Sequence, residues 1–152
     1  MALFIAPITK EGKKDVSYNL LLCTNKVLDF EQNSSGSTVF YYYDTGGRRY
    51  KAIEYTTSLS KAAFHSRIRE AANEQWINVQ YIEKDHKTET GIMRINVEHF
   101  VRGRNYTHNG VAGYSYIWID RGSNESKLRL LTTHTIEDIS RSSSRSASLS
   151  PS

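Results

Sequence analysis

Val39-Phe40-Tyr41-Tyr42-Tyr43-Asp44-Thr45-Gly46 has a counterpart 76 residues further on, Ser115-Tyr116-Ile117-Trp118-Ile119-Asp120-Arg121-Gly122. The match extends without a gap over residues 39–60 and 115–136, where Lys51 meets Lys127 and Tyr55-Thr56-Thr57 meets Leu131-Thr132-Thr133. Each copy reads as an aromatic or apolar strand, an Asp-x-Gly turn and a strand ending in Thr-Thr. Asp and Gly recur for a local reason: the carboxylate bonds its own turn backbone, and Gly supplies a positive φ. The pattern predicts two related hairpin modules sharing one core. The apolar phase of the return strands conflicts, however. Ile53 and Tyr55 occupy one parity of this alignment and Leu128 and Leu130 the other, a conflict that a bulge would reconcile.

Outward from these hairpins, other elements follow by period. Residues 16–22 and 26–30 read as one long or broken strand, ended by the loop Gln32-Asn33-Ser34-Ser35-Gly36-Ser37. Phe64, Ile68, Ala71 and Ala72 make a helical stripe over about 59–74, with Ser58 or Ser60 placed to cap its start. Ile77, Val79 and Tyr81, then Met93, Ile95 and Val97, alternate with polar residues as two strands of a hairpin across the polar connection 84–91. Residues 113–119 and 127–133 form the second copy of the repeated hairpin, and 136–139 a short helical turn. The expectation is an α+β, mostly β fold of short antiparallel strands with one principal helix, in a single domain over residues 1–139. The Ser/Arg-rich segment 140–152 offers almost no apolar surface and is expected to be a disordered tail.

With 152 residues, 38% of them hydrophobic and ten of them Tyr, the chain can build a core without staples. A single cysteine, Cys23, excludes an internal disulfide framework, and its apolar neighbours suggest a buried strand position. The apolar start, Met1 to Ile8, is too short and too soon followed by charge to be a signal peptide, so localisation in the cytoplasm or a virion is expected. No run approaches the length of a membrane span, and no membrane partner is expected. The net charge of +4 is modest, and Arg141 and Arg145 of the tail supply part of it.

Enzyme motifs are absent. There is no Gly-rich phosphate loop, nucleophile elbow or His-Glu-x-x-His helix. The histidines at 65, 86, 99, 108 and 134 show no ligand-like spacing, so no metal or cofactor is expected. Basic residues stand beside aromatics in two places: Arg48 and Arg49 beside Tyr50, and Arg102 and Arg104 between Phe100 and Tyr106. Guanidinium groups next to flat rings can grip phosphates and stack on bases, which makes these four arginines candidate nucleic-acid contacts. Tyr114, Tyr116 and Trp118 share one side of their strand, with Ile117 and Ile119 on the other. A strand that is apolar on both faces needs cover on both, so the three aromatics are candidate interface residues.

The tandem short-strand plan, the segment Ile95-Asn96-Val97-Glu98-His99-Phe100-Val101 and the closing Thr132-Thr133-His134-Thr135-Ile136-Glu137-Asp138-Ile139 resemble small structural proteins of tailed bacteriophages. The order from Val27 to Ile139, with Trp76-Ile77-Asn78-Val79, is also similar to LytTR-type DNA-binding domains. Gln80-Tyr81-Ile82-Glu83 stands where that family carries basic residues. The first resemblance implies a non-enzymatic assembly module, a phage virion component that binds other subunits, like or unlike, in an oligomer or larger particle. The second implies a β-rich nucleic-acid-binding domain.

Overall fold

Alternating β-branched, aromatic and polar residues favour a pleated surface, and the chain is accordingly mostly strand. The computed structural model describes residues 1–44, 51–121 and 127–144. The elements are β1 (Leu3–Glu11), β2 (Lys14–Cys23), β3 (Val27–Gln32), β4 (Thr38–Asp44), β5 (Lys51–Thr57) and α1 (Lys61–Glu70). They are followed by β6 (Trp76–Lys84), β7 (Lys87–Asn96), β8 (Phe100–His108), β9 (Val111–Ile119), β10 (Leu128–Thr132) and α2 (Ile136–Ser144). Single 3-10 turns, Thr24–Lys26 and Val97–His99, link β2 to β3 and β7 to β8.

The strands form one antiparallel sheet in the order β3-β4-β5-β1-β2-β8-β9-β10-β6-β7. The first five places carry the same connectivity as the last five. The first half is therefore two strands, a 3-10 turn, three strands and a helix, and the second half repeats that order. Register fixes the equivalence residue by residue: Thr38 faces Thr57, and Ser115 faces Thr132. Thr38 Oγ1 donates to the Leu59 carbonyl at 2.8 Å, as Ser115 Oγ does to that of His134 at 2.7 Å. Leu59 N and His134 N donate to Thr57 Oγ1 and Thr132 Oγ1, each at 3.3 Å. Ser60 and Thr135 then cap α1 and α2 by accepting from Ala63 N and Asp138 N. This equivalence departs from the gapless alignment by one residue on each strand, in opposite senses. Tyr43 to Ala52 is two residues longer than the corresponding Asp120 to Lys127. Ile53 and Tyr55 therefore match Leu128 and Leu130 in phase, and no bulge is needed between the repeated hairpins.

Two cores lie on opposite faces of the β1–β2 hairpin. Phe4, Ala6, Ile8, Leu20 and Leu22 pack toward Phe40, Tyr42, Tyr55 and Phe64 of α1. Leu3, Leu21 and Cys23 pack on the other side with Ile77, Val79, Ile117, Leu130 and Ile136 and Ile139 of α2. Being buried on both faces explains the unbroken apolar runs Leu3-Phe4-Ile5-Ala6 and Leu20-Leu21-Leu22-Cys23.

Several sequence expectations need correction. The principal helix is Lys61–Glu70, shorter than 59–74, because Ala71 already has an extended backbone. The apolar start is strand β1, inside the sheet. Residues 84–91 are largely strand, since the turn is Asp85-His86, both with positive φ. A second helix, Ile136–Ser144, replaces the expected short turn and runs on into the first residues of the Ser/Arg-rich segment. Residues 145–152, and the turn residues 45–47 of the first hairpin, lie outside the described residues.

Candidate interaction face

The second half shelters its core under α2 and turns the opposite side of β8, β9 and β10 outward. Register determines what stands there. Arg102 faces Trp118, Arg104 faces Tyr116 and Tyr106 faces Tyr114 across β8 and β9, and Arg129 faces Trp118 across β9 and β10. Gly103, Asn105, Ser115 and Ile117 point the other way. A side chain at Gly103 would press on Ile117 at 3.1 Å, and Asn105 accepts from Ile136 N at 2.8 Å, tying α2 to the sheet.

On the outward side, guanidinium groups and rings alternate. Arg102 lies 4.7 Å from the Trp118 ring centre, Arg104 4.0 Å from that of Tyr18 on β2, and Arg129 4.3 Å from that of Tyr116. The rings of Tyr106 and Tyr116 meet tilted at 4.5 Å between centres, and those of Tyr116 and Trp118 at 6.1 Å. Such cation–ring contacts contribute about 0.5–1 kcal/mol each at exposed sites. Tyr114, Tyr116 and Trp118 are half-buried by this lattice, while Tyr106 is 40% exposed. Arg104, Tyr106, Thr107, Tyr116 and Trp118 line a depression of about 430 Å³. Partial burial raises the Tyr116 phenol above its ordinary range, with Glu83 adding to the effect and Arg129 opposing it.

Two of the arginines already have carboxylate partners. Arg102 reaches Asp44 Oδ1 at 3.1 Å, and Lys127 Nζ lies 2.7 Å from both oxygens of the same buried carboxylate. Arg129 pairs with Glu83 at 3.1 Å and meets His86 Nδ1 at 2.7 Å. Arg104 has no carboxylate partner among the described residues and keeps its charge on the surface. Of the four candidate nucleic-acid arginines, Arg102 is thus a structural cation and Arg104 a surface one, and both belong to the same face as Tyr114, Tyr116 and Trp118. Arg48 and Arg49 lie outside the described residues.

Sequence reasoning missed Arg129, Tyr18, Tyr106, Asp44 and Glu83 as members of this face. Asn109-Gly110 was the available signal for part of it. Both residues have positive φ and close the β8–β9 turn, a strong short-range hairpin mark. Read that way, the pair makes β8 a strand and places Tyr106 opposite Tyr114.

Among the described residues, no group of three His, Cys, Asp or Glu side chains comes together to hold a metal ion. The five histidines are dispersed among α1, two turns, the end of β8 and the segment after β10. Cys23 is fully buried, and burial pushes its thiol up. No helix among the described residues is long and apolar enough to cross a membrane. Comparison with protein-family models, curated proteins and solved structures finds no match to this chain.

Proposed function

We propose that the protein is a non-enzymatic assembly module that joins other protein subunits through the outward face of β8, β9 and β10. The observation that supports this reading is a sheet surface of part-exposed rings, Tyr106, Tyr114, Tyr116 and Trp118, ordered by arginines of which two pair with carboxylates within the fold. Aromatic and arginine side chains held rigid in this way supply large contact area at little entropic cost, which is why binding energy concentrates in them. A bacteriophage particle is the setting that the sequence resemblance proposes for such a subunit. A nucleic-acid reading draws support from one feature, the un-neutralised Arg104 beside Tyr106 and Tyr18.

Tyr106→Ser and Tyr116→Ser test the proposal in sedimentation equilibrium. The expected result is loss of association, with stability changed by about 1 kcal/mol or less. A strictly monomeric protein that Tyr116→Ser unfolds would make the face ordinary core and end the assembly reading. Titration with a single-stranded oligonucleotide at low salt tests the other reading. Affinity that falls steeply with salt and is lost in Arg104→Ser would favour nucleic acid.

A further inference from the structure

The equivalence of the two halves gives the arginine face a counterpart. Asp29 faces Tyr41 as Arg102 faces Trp118, Glu31 faces Val39 as Arg104 faces Tyr116, and Glu54 faces Tyr41 as Arg129 faces Trp118. Three arginines in the second half thus occupy the backbone positions of three carboxylates in the first. Asp29, Glu31 and Glu54 form no ion pair among the described residues, although Lys10 and Lys13 line one depression with Glu54 and Val39. Leu28 and Tyr41 beside them are 55% and 39% exposed, so this face too carries uncovered apolar surface. The faces lie on opposite sides of the sheet, because α1 and α2 pack on opposite sides of the shared β1–β2 hairpin.

We infer that the protein self-associates head to tail, the Asp29–Glu31–Glu54 face of one copy docking on the Arg102–Arg104–Arg129 face of the next. The inference rests on the assembly reading and specifies its partner as a second copy of this chain. Arg102 and Arg129 already have carboxylate partners, so the complementarity rests chiefly on Arg104, unpaired among the described residues, against Glu31 and Asp29, and it favours pairing of unlike faces over like ones. An interface between two different faces on opposite sides of a subunit leaves one of each free in every complex, so growth is open-ended or closes only as a ring. Opposite charge also steers the encounter and makes it sensitive to salt.

Glu31→Lys and Arg104→Glu supply the test, both at exposed positions that carry no ion pair among the described residues. Wild-type protein should show a concentration-dependent series of oligomers in sedimentation velocity at low salt. Either variant alone should weaken association about tenfold or more. In an equimolar mixture the two unaltered faces match and the two reversed faces match each other, so alternating copies should recover the oligomer series. The double variant Glu31→Lys/Arg104→Glu restores opposite charge and should recover the oligomer series. Circular dichroism of each variant should match wild type. Oligomers unaffected by either reversal, or a mixture and a double variant that both stay as weakly associated as the single variants, would overturn the pairing. A wild type that stays monomeric would overturn self-association yet leave the β8–β9–β10 face open to an unlike subunit, which a binding assay with Tyr106→Ser addresses separately.

Discussion

At the scale of single residues, two polar side chains bind the halves together. The Tyr42 hydroxyl donates to the Val101 carbonyl and accepts from Cys23 N at 2.9 Å, so a β4 phenol joins β2 to β8 from a buried site. Asp44, at the end of the same strand, takes Arg102 and Lys127 from the second half. Asp44→Asn keeps the shape but removes the charge that both cations face. It should cost about 1.5–3 kcal/mol, read as a lower urea midpoint with an unchanged slope. Buried phenols also set an alkaline limit. Burial pushes Tyr55 up to about 12, and Tyr42 well above its ordinary value. The unfolded chain releases these protons near pH 10 while the folded chain holds them, so their contribution is complete below pH 10 and is lost as pH rises toward about 12. Lys26 acts in the opposite sense, because burial lowers its value and folding gains as pH rises toward 10.5. Urea midpoints above that pH should therefore fall, and Tyr55→Phe should flatten the decline with little change at neutral pH. An equal decline in that variant would assign the alkaline loss to other groups.

At the scale of elements, what could be read from sequence was set by how each strand is covered. The β6–β7 hairpin shows its alternation plainly, because Ile77, Val79 and Ile95 face a core while Asn78, Gln80 and Arg94 face out. The β1 strand shows none, because the second half covers the face that would otherwise be polar, and period-two reasoning has nothing to detect. β8 was obscured differently: Gly103 supplies no side chain where the core demands a small one, and arginines occupy its outward positions. Tyr114, Tyr116 and Trp118 could be placed on one face from their own strand. Their cover could not, since Tyr18 and Arg104 meet only through β2 pairing with β8, a neighbour relation invisible to local pattern. The repeated hairpin was legible in its motif but not its register, because a length difference in the turn shifts both flanks by one residue and inverts the apparent parity.

At the scale of the molecule, the two halves are not independent, because they share a hairpin. Detached from the second half, the first would expose Leu3, Leu21 and Cys23, all essentially buried in the whole. The second would lose the wall against which Ile136 and Ile139 pack. Each apolar side chain so exposed costs about 1.5–3 kcal/mol, a large fraction of the about 5–15 kcal/mol that stabilises an ordinary domain. Neither half should persist once the other opens, so unfolding is expected to be a single transition. The chain carries suitable reporters. Trp76 and Trp118 both belong to the second half, Cys23 sits at the junction, and far-ultraviolet dichroism reports all strands together. Tryptophan fluorescence, thiol accessibility at Cys23 and dichroism should give coincident urea midpoints. Leu20→Ala in the first core and Ile117→Ala in the second should move all three by the same amount within each variant, since a large-to-small change in either core weakens one cooperative unit. If the Cys23 thiol became accessible while tryptophan fluorescence stayed native, the junction would open before the second core. The halves would then be separate folding units joined at a weak seam.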